Sequence, residues 1–121
     1  MHSDIAAFND ILYMYMRRAK KKGLTFELSE KQFRELTSSD CHYCNRKPSQ
    51  NSNRKQSASP HNMRFKVDYI YNGIDRMNSD IGYISSNCVP CCGDCNAIKS
   101  DILSYEEMQV AMKAVLTLRG K

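Results

Sequence analysis

The sequence predicts an α+β domain, in which helices at both ends flank a small β-hairpin braced by a four-cysteine zinc site. Three observations predict this class: apolar residues recur at helical spacing near both ends, β-branched and aromatic residues gather in the middle, and Cys-x-x-Cys pairs accompany them. At 121 residues the chain suits one domain, residues 1–121, and its 41% hydrophobic residues allow a modest core that a metal would reinforce.

The net charge of the chain and its expected cellular compartment limit the classes of function to consider. The chain has 18 Lys and Arg against 13 Asp and Glu, a net charge of +5, which suits a polyanion such as DNA but also an ordinary, mildly basic protein. No secretory signal opens it, and no apolar run approaches the roughly 20 residues of a membrane span. We therefore expect an intracellular, reducing, cytoplasmic location with no membrane partner, where Cys-x-x-Cys pairs favour metal over disulfides.

The first predicted helix runs from Ser3 to Lys22, where Ser3 can cap the start and Gly23 can end the helix in a left-handed conformation. Its basic end complements the negative end of the helix dipole. Arg17 and Arg18 in that end are candidates for nucleic-acid contacts, and a solvated helix end explains them equally well. The apolar face recurs at steps of three and four, and comprises Ile5, Phe8, Ile11, Leu12, Tyr15, Met16 and Ala19.

The rest of the helical N-terminal region, residues 1–40, contains an apolar segment and a second helix. Leu24 to Leu28 is apolar at alternate positions, and Ser29 to Gln32 resembles a capping box that starts a short helix through about Leu36. The residues from Asn45 to Asn62 are almost entirely polar, which predicts a long, flexible surface loop.

The predicted zinc-braced core, residues 41–103, contains the hairpin. Met63 to Ile74 has the composition of a strand, and Asn78 to Gly82 supplies a turn. A second short strand should run through Cys88-Val89, before Pro90 interrupts it.

Two further helices are predicted. One should begin near Gly93 to Asn96, and the last, within residues 104–121, starts at a capping box formed by Ser104 and Glu107. The apolar face of the last helix comprises Met108, Ala111, Met112, Val115 and Leu118.

Two Cys-x-x-Cys pairs supply the four thiolates of a structural zinc site, because each pair places two sulfurs around one ion at a tight turn. The first is Cys41-His42-Tyr43-Cys44, and the second is either Cys88-Val89-Pro90-Cys91 or Cys92-Gly93-Asp94-Cys95. Gly93 favours the later pair, because a knuckle turn needs a residue that tolerates unusual backbone angles, whereas Pro90 stiffens the earlier one. We therefore predict the zinc ligands Cys41, Cys44, Cys92 and Cys95.

The remaining sulfur and imidazole groups receive no ligand role. Cys88 and Cys91 are expected to be small buried hydrophobes. His42 is expected on the surface of the knuckle, and neither His2 nor His61 is assigned a role.

Polar residues are interleaved with the second cysteine pair, in the blocks Gly73-Ile74-Asp75-Arg76, Gly82-Tyr83, Asn87 and Cys92-Gly93-Asp94-Cys95-Asn96-Ala97-Ile98-Lys99. This combination resembles the HNH endonucleases, also called ββα-metal or His-Me finger nucleases, and is especially similar to the branch that includes the PacI restriction endonuclease. The likeness runs from about Leu24 to Met112 and is strongest over Asn72 to Ile102. It implies a ββα-metal core, braced by zinc, that cleaves DNA.

The resemblance also implies residue roles. Asp75 and Asn96 would coordinate a catalytic Mg²⁺ or Mn²⁺, whose preference is for oxygen ligands. Asn87 would steady the loop that holds the catalytic residue, although an ordinary turn asparagine is the alternative. Lys99 lies on the same helical face as Asn96 and would contact a backbone phosphate, with a solvated lysine as the alternative.

The position after the aspartate departs from the common pattern. Most of the family has a histidine general base there, and this chain has Arg76. Tyr83 is the implied substitute, as in the PacI-like branch; the alternative is that Tyr83 only packs over the hairpin. A tyrosine with a pKa of about 10 is only about a thousandth ionised at pH 7, so the phenolate would need positive partners such as Arg76 and the cation. Arg76 is alternatively a phosphate ligand.

These observations predict a metal-dependent, phage-like endonuclease acting on double-stranded DNA, with a homodimer left open. A catalytically inactive zinc module that binds nucleic acid is the first alternative. A protein-interaction module that presents the polar loop 45–62 is the second. No base-reading set of residues is identifiable, so the target sequence is not predicted.

Overall fold

The computed structural model describes residues 5–52 and 68–120. Four helices and four short strands follow one another within these residues, and the predicted α+β class is confirmed. In chain order they are α1 (Ile5–Lys21), α2 (Glu30–Ser38), β1 (Gln50–Asn51), β2 (Ile70–Tyr71), β3 (Gly73–Arg76), β4 (Cys88–Cys91), α3 (Gly93–Lys99) and α4 (Tyr105–Leu118), with a 3₁₀ turn at Ser85–Asn87 before β4. No helix in the described ranges has both the length and the apolarity to cross a membrane.

The central hairpin pairs β3 with β4 in antiparallel register, with Asp75 opposite Val89 and Ile74 opposite Pro90. The prediction that Pro90 interrupts the second strand is wrong, because β4 continues to Cys91. The carbonyl of Pro90 accepts a hydrogen bond from the backbone of His42 at 2.9 Å. In an antiparallel strand the nitrogen of a residue points to the same side as its carbonyl, so the missing N–H of Pro90 costs no bond to β3.

A second ribbon pairs β1, which lies within the predicted polar loop, with β2, which lies within the predicted strand that follows it. Gln50 pairs with Tyr71 and Asn51 pairs with Ile70. The prediction of a flexible surface loop is therefore wrong for Gln50 and Asn51, which pair as a strand, because backbone pairing requires no apolar side chain. The remainder of that loop beyond Ser52, together with residues 63–67 of the predicted strand, lies outside the described residues.

One hydrophobic cluster packs α1 and α2 against the start of the hairpin. Phe33 of α2 is fully buried and meets the rings of Phe8 and Tyr15 edge-to-face. Most of the predicted face of α1 is buried, but Ile5 and Met16 are 58% and 42% exposed and do not belong to it. Ile5 and Met16 stand at the margins of the stripe, which is narrower than the sequence pattern indicates.

The ends of α1 and α2 follow the sequence signals. Gly23 adopts a φ of +71° just beyond α1, as predicted for a left-handed helix end. Ser29 and Gln32 form both reciprocal bonds of the capping box at α2. The proposed cap Ser3 lies outside the described residues.

The segment between these helices contacts the loop of the hairpin. Phe26 forms a bridge with Tyr83, and the backbone nitrogen of Tyr83 donates to the carbonyl of Thr25 at 2.7 Å. A Cβ at Gly82 would overlap the backbone of Thr25, so this close approach requires glycine.

A second hydrophobic cluster surrounds the cysteines and includes Met108 and Met112 of α4. Ser104 and Glu107 form the predicted capping box at the start of that helix. Leu118 is 88% exposed, so its assignment to the apolar face is wrong. Residue 118 is the last of α4, where the helix extends beyond the core that its first turns cover.

Candidate functional site

Four cysteines come together as the sequence predicts. The sulfurs of Cys41, Cys44, Cys92 and Cys95 all lie within 4.8 Å of one another. A tetrahedral zinc with Zn–S distances of about 2.3 Å needs sulfurs about 3.8 Å apart, and the Sγ atoms of Cys44 and Cys92 are 3.6 Å apart. Both the chemistry and the spacing of the four sulfurs therefore fit a structural zinc ion.

Local structure positions the four sulfurs. Cys41 and Cys44 flank a turn just after α2, and the backbone nitrogen of Asn45 donates to the carbonyl of Cys41 at 2.9 Å to close it. Cys92 is the N-cap of α3, and its sulfur accepts from the backbone nitrogen of Cys95 at 3.4 Å. The four-cysteine cluster thus joins the end of α2 to the start of α3.

The other two cysteines are buried, as predicted. Cys91 lies outside the cluster of four sulfurs, and a hydrogen bond from its thiol lowers the pKa of Cys41 to about 3. Cys88 belongs to the other cluster, where burial raises its pKa to about 11. His42 lies exposed on the knuckle, stacks on Tyr105 and contacts its hydroxyl at 2.9 Å, in keeping with a surface role.

A cleft of about 420 Å³ opens beside β3 and brings together most of the predicted active-site residues. Asp75 lies in β3 and is 8% exposed. The cleft is lined by Tyr15, Arg18, Lys22, Ile74, Asp75, Arg76, Ser79, Tyr83, Asn96, Ala97, Lys99, Ser100 and Asp101. The structure thus places Asp75, Asn96, Arg76 and Tyr83 around one cavity.

Both carboxylate oxygens of Asp75 have partners. The hydroxyl of Tyr43 donates to Oδ2 at 2.6 Å, and the ammonium of Lys99 lies 3.2 Å from Oδ1. Burial and the bond to Asp75 raise the pKa of Tyr43 above its ordinary value, so Tyr43 holds its proton and acts as a donor. The sequence gives no signal for this role of Tyr43, which lies between His42 and Cys44 in the first cysteine pair.

Asn96 and Lys99 reach the cleft from α3. Asn96 is solvent-exposed and lies one helical turn before Lys99, on the same face. Because the side chain of Lys99 contacts Asp75, that face of α3 is directed toward β3. Asn96 lines the cleft from α3, and it also lines an adjoining cavity that contains Gln50 and Tyr71.

The alternative of a solvated Lys99 is wrong. Lys99 is 6% exposed, and its ammonium also lies 3.5 Å from the carbonyl oxygen of Arg76. Helical periodicity places this lysine beside Asn96, but only the packing of α3 on the hairpin brings Asp75 within reach.

Asn87 fastens the loop between the two hairpin strands. Its Oδ1 accepts from the backbone nitrogen of Asn78 at 2.9 Å, and its Nδ2 donates to the carbonyls of Asn78, Ile81 and Gly82 at 3.0 to 3.1 Å. A buried side-chain amide with four backbone bonds fixes the conformation of residues 78–82 next to the cleft.

Arg76 and Tyr83 line the cleft in fixed positions. The guanidinium of Arg76 donates to the carbonyls of Ser79 and Ile81, and it lies 5.4 Å from the centre of the Tyr83 ring. Tyr83 is 7% exposed, with its ring edge-to-face on Tyr15 at 5.8 Å and tilted on Phe26 at 5.5 Å. Tyr83 is therefore a packing residue of the core as well as part of the cleft wall.

The basic end of α1 borders the same cleft. Arg18 and Lys22 line it, whereas Arg17 faces a different, mainly apolar surface. The hydroxyl of Tyr15 accepts from the backbone nitrogen of Ile74 at 3.1 Å, which fixes α1 to the edge of β3 that faces away from β4. Burial raises the pKa of Tyr15 well above its ordinary value.

Comparisons with known proteins place this geometry in context. No protein-family profile matches the chain. It is 42% identical over 87 residues to an uncharacterized protein of Acanthamoeba polyphaga mimivirus, an alignment that covers 72% of this chain and 13% of the viral protein. The chain thus spans about an eighth of the length of that relative.

A solved structure shares the fold. The HNH restriction endonuclease PacI, described as a rare cutter that perturbs DNA, superposes with a TM-score of 0.59 over 93% of this chain and 76% of its own. The sequences are 22% identical, so the likeness concerns the fold. The predicted HNH-like architecture is confirmed.

Proposed function

We propose that this chain, which has the fold of an HNH endonuclease, hydrolyses phosphodiester bonds in double-stranded DNA with the help of a divalent cation. One observation carries the proposal most: a buried carboxylate, Asp75, lies in the first strand of the hairpin and shares a cleft with Asn96 of the following helix. Basic side chains border this cleft and suit a substrate with a charged backbone.

The donor set fits the cation. Asp75 offers a carboxylate oxygen and Asn96 an amide oxygen, which are hard ligands of the kind that Mg²⁺ and Mn²⁺ prefer. Asp75 is fixed on a strand and Asn96 on a helix that the zinc site anchors at its N-terminus. A cation held there would neutralise charge that develops on the phosphate and on the leaving oxygen.

The basic side chains that line the cleft suit a DNA strand. Arg18 and Lys22 lie near the end of α1 and can meet phosphates that flank the scissile bond. Arg76 uses part of its guanidinium to hold the hairpin loop, so its position is set before a substrate arrives. A preset cation of this kind stabilises phosphate charge without reorganisation.

Tyr83 is the candidate general base. The Arg76 guanidinium lies 5.4 Å from the centre of its ring, which also packs edge-to-face on Tyr15. In this proposal the role of Tyr83 is to accept the proton of the attacking water, and Asn87 holds the loop that carries the tyrosine.

The proposal is tested with supercoiled plasmid DNA and either Mg²⁺ or Mn²⁺. The sharpest variant is Asn96→Ala, because Asn96 is exposed and its loss spares the fold. It should lower the nicking rate at least about a hundredfold, as expected for removing a group that positions the cation. Asp75→Asn should have the same effect, and Asp80→Ala, which removes an exposed carboxylate from the neighbouring turn, should leave the rate unchanged.

Full activity in both Asn96→Ala and Asp75→Asn would refute the assignment of the cation site. Tyr83→Phe separates the role of the base from that of the cation: it should lose most of the rate at neutral pH while the protein still binds DNA. A Tyr83→Phe variant as fast as the parent would move the base to another group.

A catalytically inactive DNA-binding module is the second candidate. Two observations favour it: both oxygens of Asp75 already have partners, and the ring of Tyr83 is packed among other aromatic rings. Such a module would bind DNA with an affinity that falls steeply with salt, and it would cleave with none of the divalent ions. The plasmid assay, repeated across several metals beside a salt titration of binding, distinguishes the two candidates.

A further inference from the structure

We infer that Lys99 is an internal counter-cation that occupies the cation position at Asp75 in the metal-free protein and must be displaced when a divalent ion binds. The inference rests on the proposed function, because it takes Asp75 to be a ligand of the cation. It adds a regulatory step to that site, in which the divalent ion and the lysine compete for one oxygen.

The ammonium of Lys99 contacts the oxygen of Asp75 that a divalent cation would need as a ligand. Lys99 Nζ lies 3.2 Å from Oδ1 of Asp75, and the side chains of Lys99 and Asp75 are only 7% and 10% exposed. The other oxygen, Oδ2, is bound by the hydroxyl of Tyr43 inside the protein. The ion pair therefore engages the oxygen that Tyr43 does not.

A buried carboxylate requires a positive partner, because an isolated charge in a low-dielectric site costs several kcal/mol. Lys99 supplies that charge when no metal is present, and together with Tyr43 it holds the carboxylate of Asp75 at both oxygens. A divalent cation bound to Oδ1 would lie within a few ångströms of the ammonium, where repulsion between like charges is strong. This repulsion would favour release of Lys99 from Oδ1 when a divalent ion is bound there.

After release from Asp75, the ammonium of Lys99 can remain within the same cleft. Lys99 is the last residue of α3, and its neighbours Ser100 and Asp101 line the cleft with it. From that position the side chain can reach a phosphate of bound DNA. Cation binding and DNA binding would then assist each other, since each favours the same position of Lys99.

The first test measures Mn²⁺ affinity without DNA, by the loss of the electron paramagnetic resonance signal of free Mn²⁺. Lys99→Met removes the competing charge and keeps the aliphatic stem, so it should bind Mn²⁺ about tenfold or more tightly than the parent. The matched control is Lys22→Met, which removes one positive charge from the wall of the same cleft without touching Asp75. It should change the affinity by no more than about twofold, because exposed charges are well screened.

A second test uses the unaltered protein, so that it stands even if Lys99→Met fails to fold. Lysine acetylation by a water-soluble succinimidyl ester, followed by peptide mass spectrometry, reports how accessible each ammonium is. Lys99 should react slowly in the metal-free protein and at least about fivefold faster with saturating Mn²⁺, because the ion pair that shields it is broken. Lys22 should react at the same rate in both conditions.

The outcomes separate this inference from the proposed function. Equal Mn²⁺ affinity in the parent and in Lys99→Met, or a Lys99 that stays protected at saturating Mn²⁺, overturns the competition and leaves the cation site in place. No Mn²⁺ binding by either protein overturns both the competition and the assignment of Asp75 as a ligand. Neither measurement depends on DNA cleavage, so the choice of general base does not affect it.

Discussion

At the scale of single residues, the buried side chains of Asp75, Asn87 and Asn72 each make at least two polar contacts. Asp75 has a donor at each oxygen, and the amide of Asn87 makes four bonds to backbone groups. Asn72, which is fully buried, donates to the carbonyls of Ser39 and Arg46 and ties the end of α2 to the knuckle. Such groups fix the backbone near the cleft because leaving any of their partners unsatisfied is costly.

Asn87 should matter for stability as much as for the cleft. Replacing it with alanine removes four hydrogen bonds and leaves the backbone donor of Asn78 without its protein acceptor. Asn87→Ala should lower the free energy of unfolding by about 2 to 4 kcal/mol, measured by urea denaturation of the zinc-loaded protein. Asn96→Ala, which removes the same side chain from an exposed helical site, should change it by less than about 0.5 kcal/mol. Equal effects of the two substitutions would contradict the bonding role of Asn87.

Tyr15 should make the fold sensitive to alkali. Burial raises the pKa of Tyr15 in the folded protein above the value of about 10 in the unfolded chain. The unfolded state therefore loses this proton first, so the stabilising contribution is complete below pH of about 10 and declines as the pH rises toward the folded pKa. Measured unfolding free energies should fall above pH of about 10.

Tyr15→Phe should show a shallower decline over the same alkaline range, because one of the groups responsible is gone. The matched control is Tyr13→Phe. Tyr13 lies two residues away in α1 and is 49% exposed, so this variant should show the same decline of unfolding free energy with pH as the parent. An identical slope in Tyr15→Phe and the parent would show that this tyrosine is not linked to folding.

At the scale of elements, the helix boundaries follow local chemistry, whereas the strands follow their partners. Ser29 and Ser104 begin α2 and α4 through capping boxes that the sequence spells out. By contrast, β1 consists of polar residues and β4 contains a proline, and each exists because a neighbouring backbone satisfies it. The intrinsic strand propensity of these residues therefore predicts the strands less well than their pairing partners do.

The zinc site should be required for the position of α3. Cys92 and Cys95 anchor the first turn of that helix, which is too short to persist alone. Cys41→Ser, or removal of zinc by a strong chelator, should abolish stoichiometric zinc and cost several kcal/mol of stability, seen by metal analysis and thermal unfolding. Cys88→Ala, which alters a buried cysteine outside the cluster, should keep one zinc per chain and cost only about 1 to 2 kcal/mol.

Loss of zinc from Cys88→Ala but not from Cys41→Ser would contradict the choice of ligands. The same pair of variants also tests the cleft, because Asn96 and Lys99 lie on the helix that the zinc anchors. Zinc loss should therefore release the contact between Lys99 and Asp75 as well.

At the scale of the whole molecule, the hairpin lies between two hydrophobic clusters. Ile74 and Cys88 face the cluster of α1 and α2, whereas Val89 and Cys91 face the cluster of the cysteines and α4. Successive residues of a strand point to opposite faces, so one short hairpin serves both cores. Asp75, opposite Val89, therefore meets Tyr43 of the knuckle and Lys99 of α3. The cleft beside it is also lined by Tyr15, Ile74 and Tyr83 of the first cluster.

The sequence by itself determined the features that depend on spacing along the chain. Cysteine spacing and the glycine within the later pair predicted the four sulfurs that cluster, and helical periodicity predicted most of the buried face of α1. Capping boxes predicted where two helices start. These signals are local, because each depends on residues within about one helical turn or one tight turn of each other.

Only the tertiary structure decided which side chains meet across the cleft. Tyr43 and Lys99 lie far from Asp75 in sequence, and nothing in their local patterns indicates that they bind its two oxygens. It also decided that Tyr83 packs into an aromatic cluster and that Pro90 belongs to a strand. The physical reason is that burial, charge pairing and strand pairing are properties of surfaces brought together by folding, and a pattern along one segment does not contain its partner.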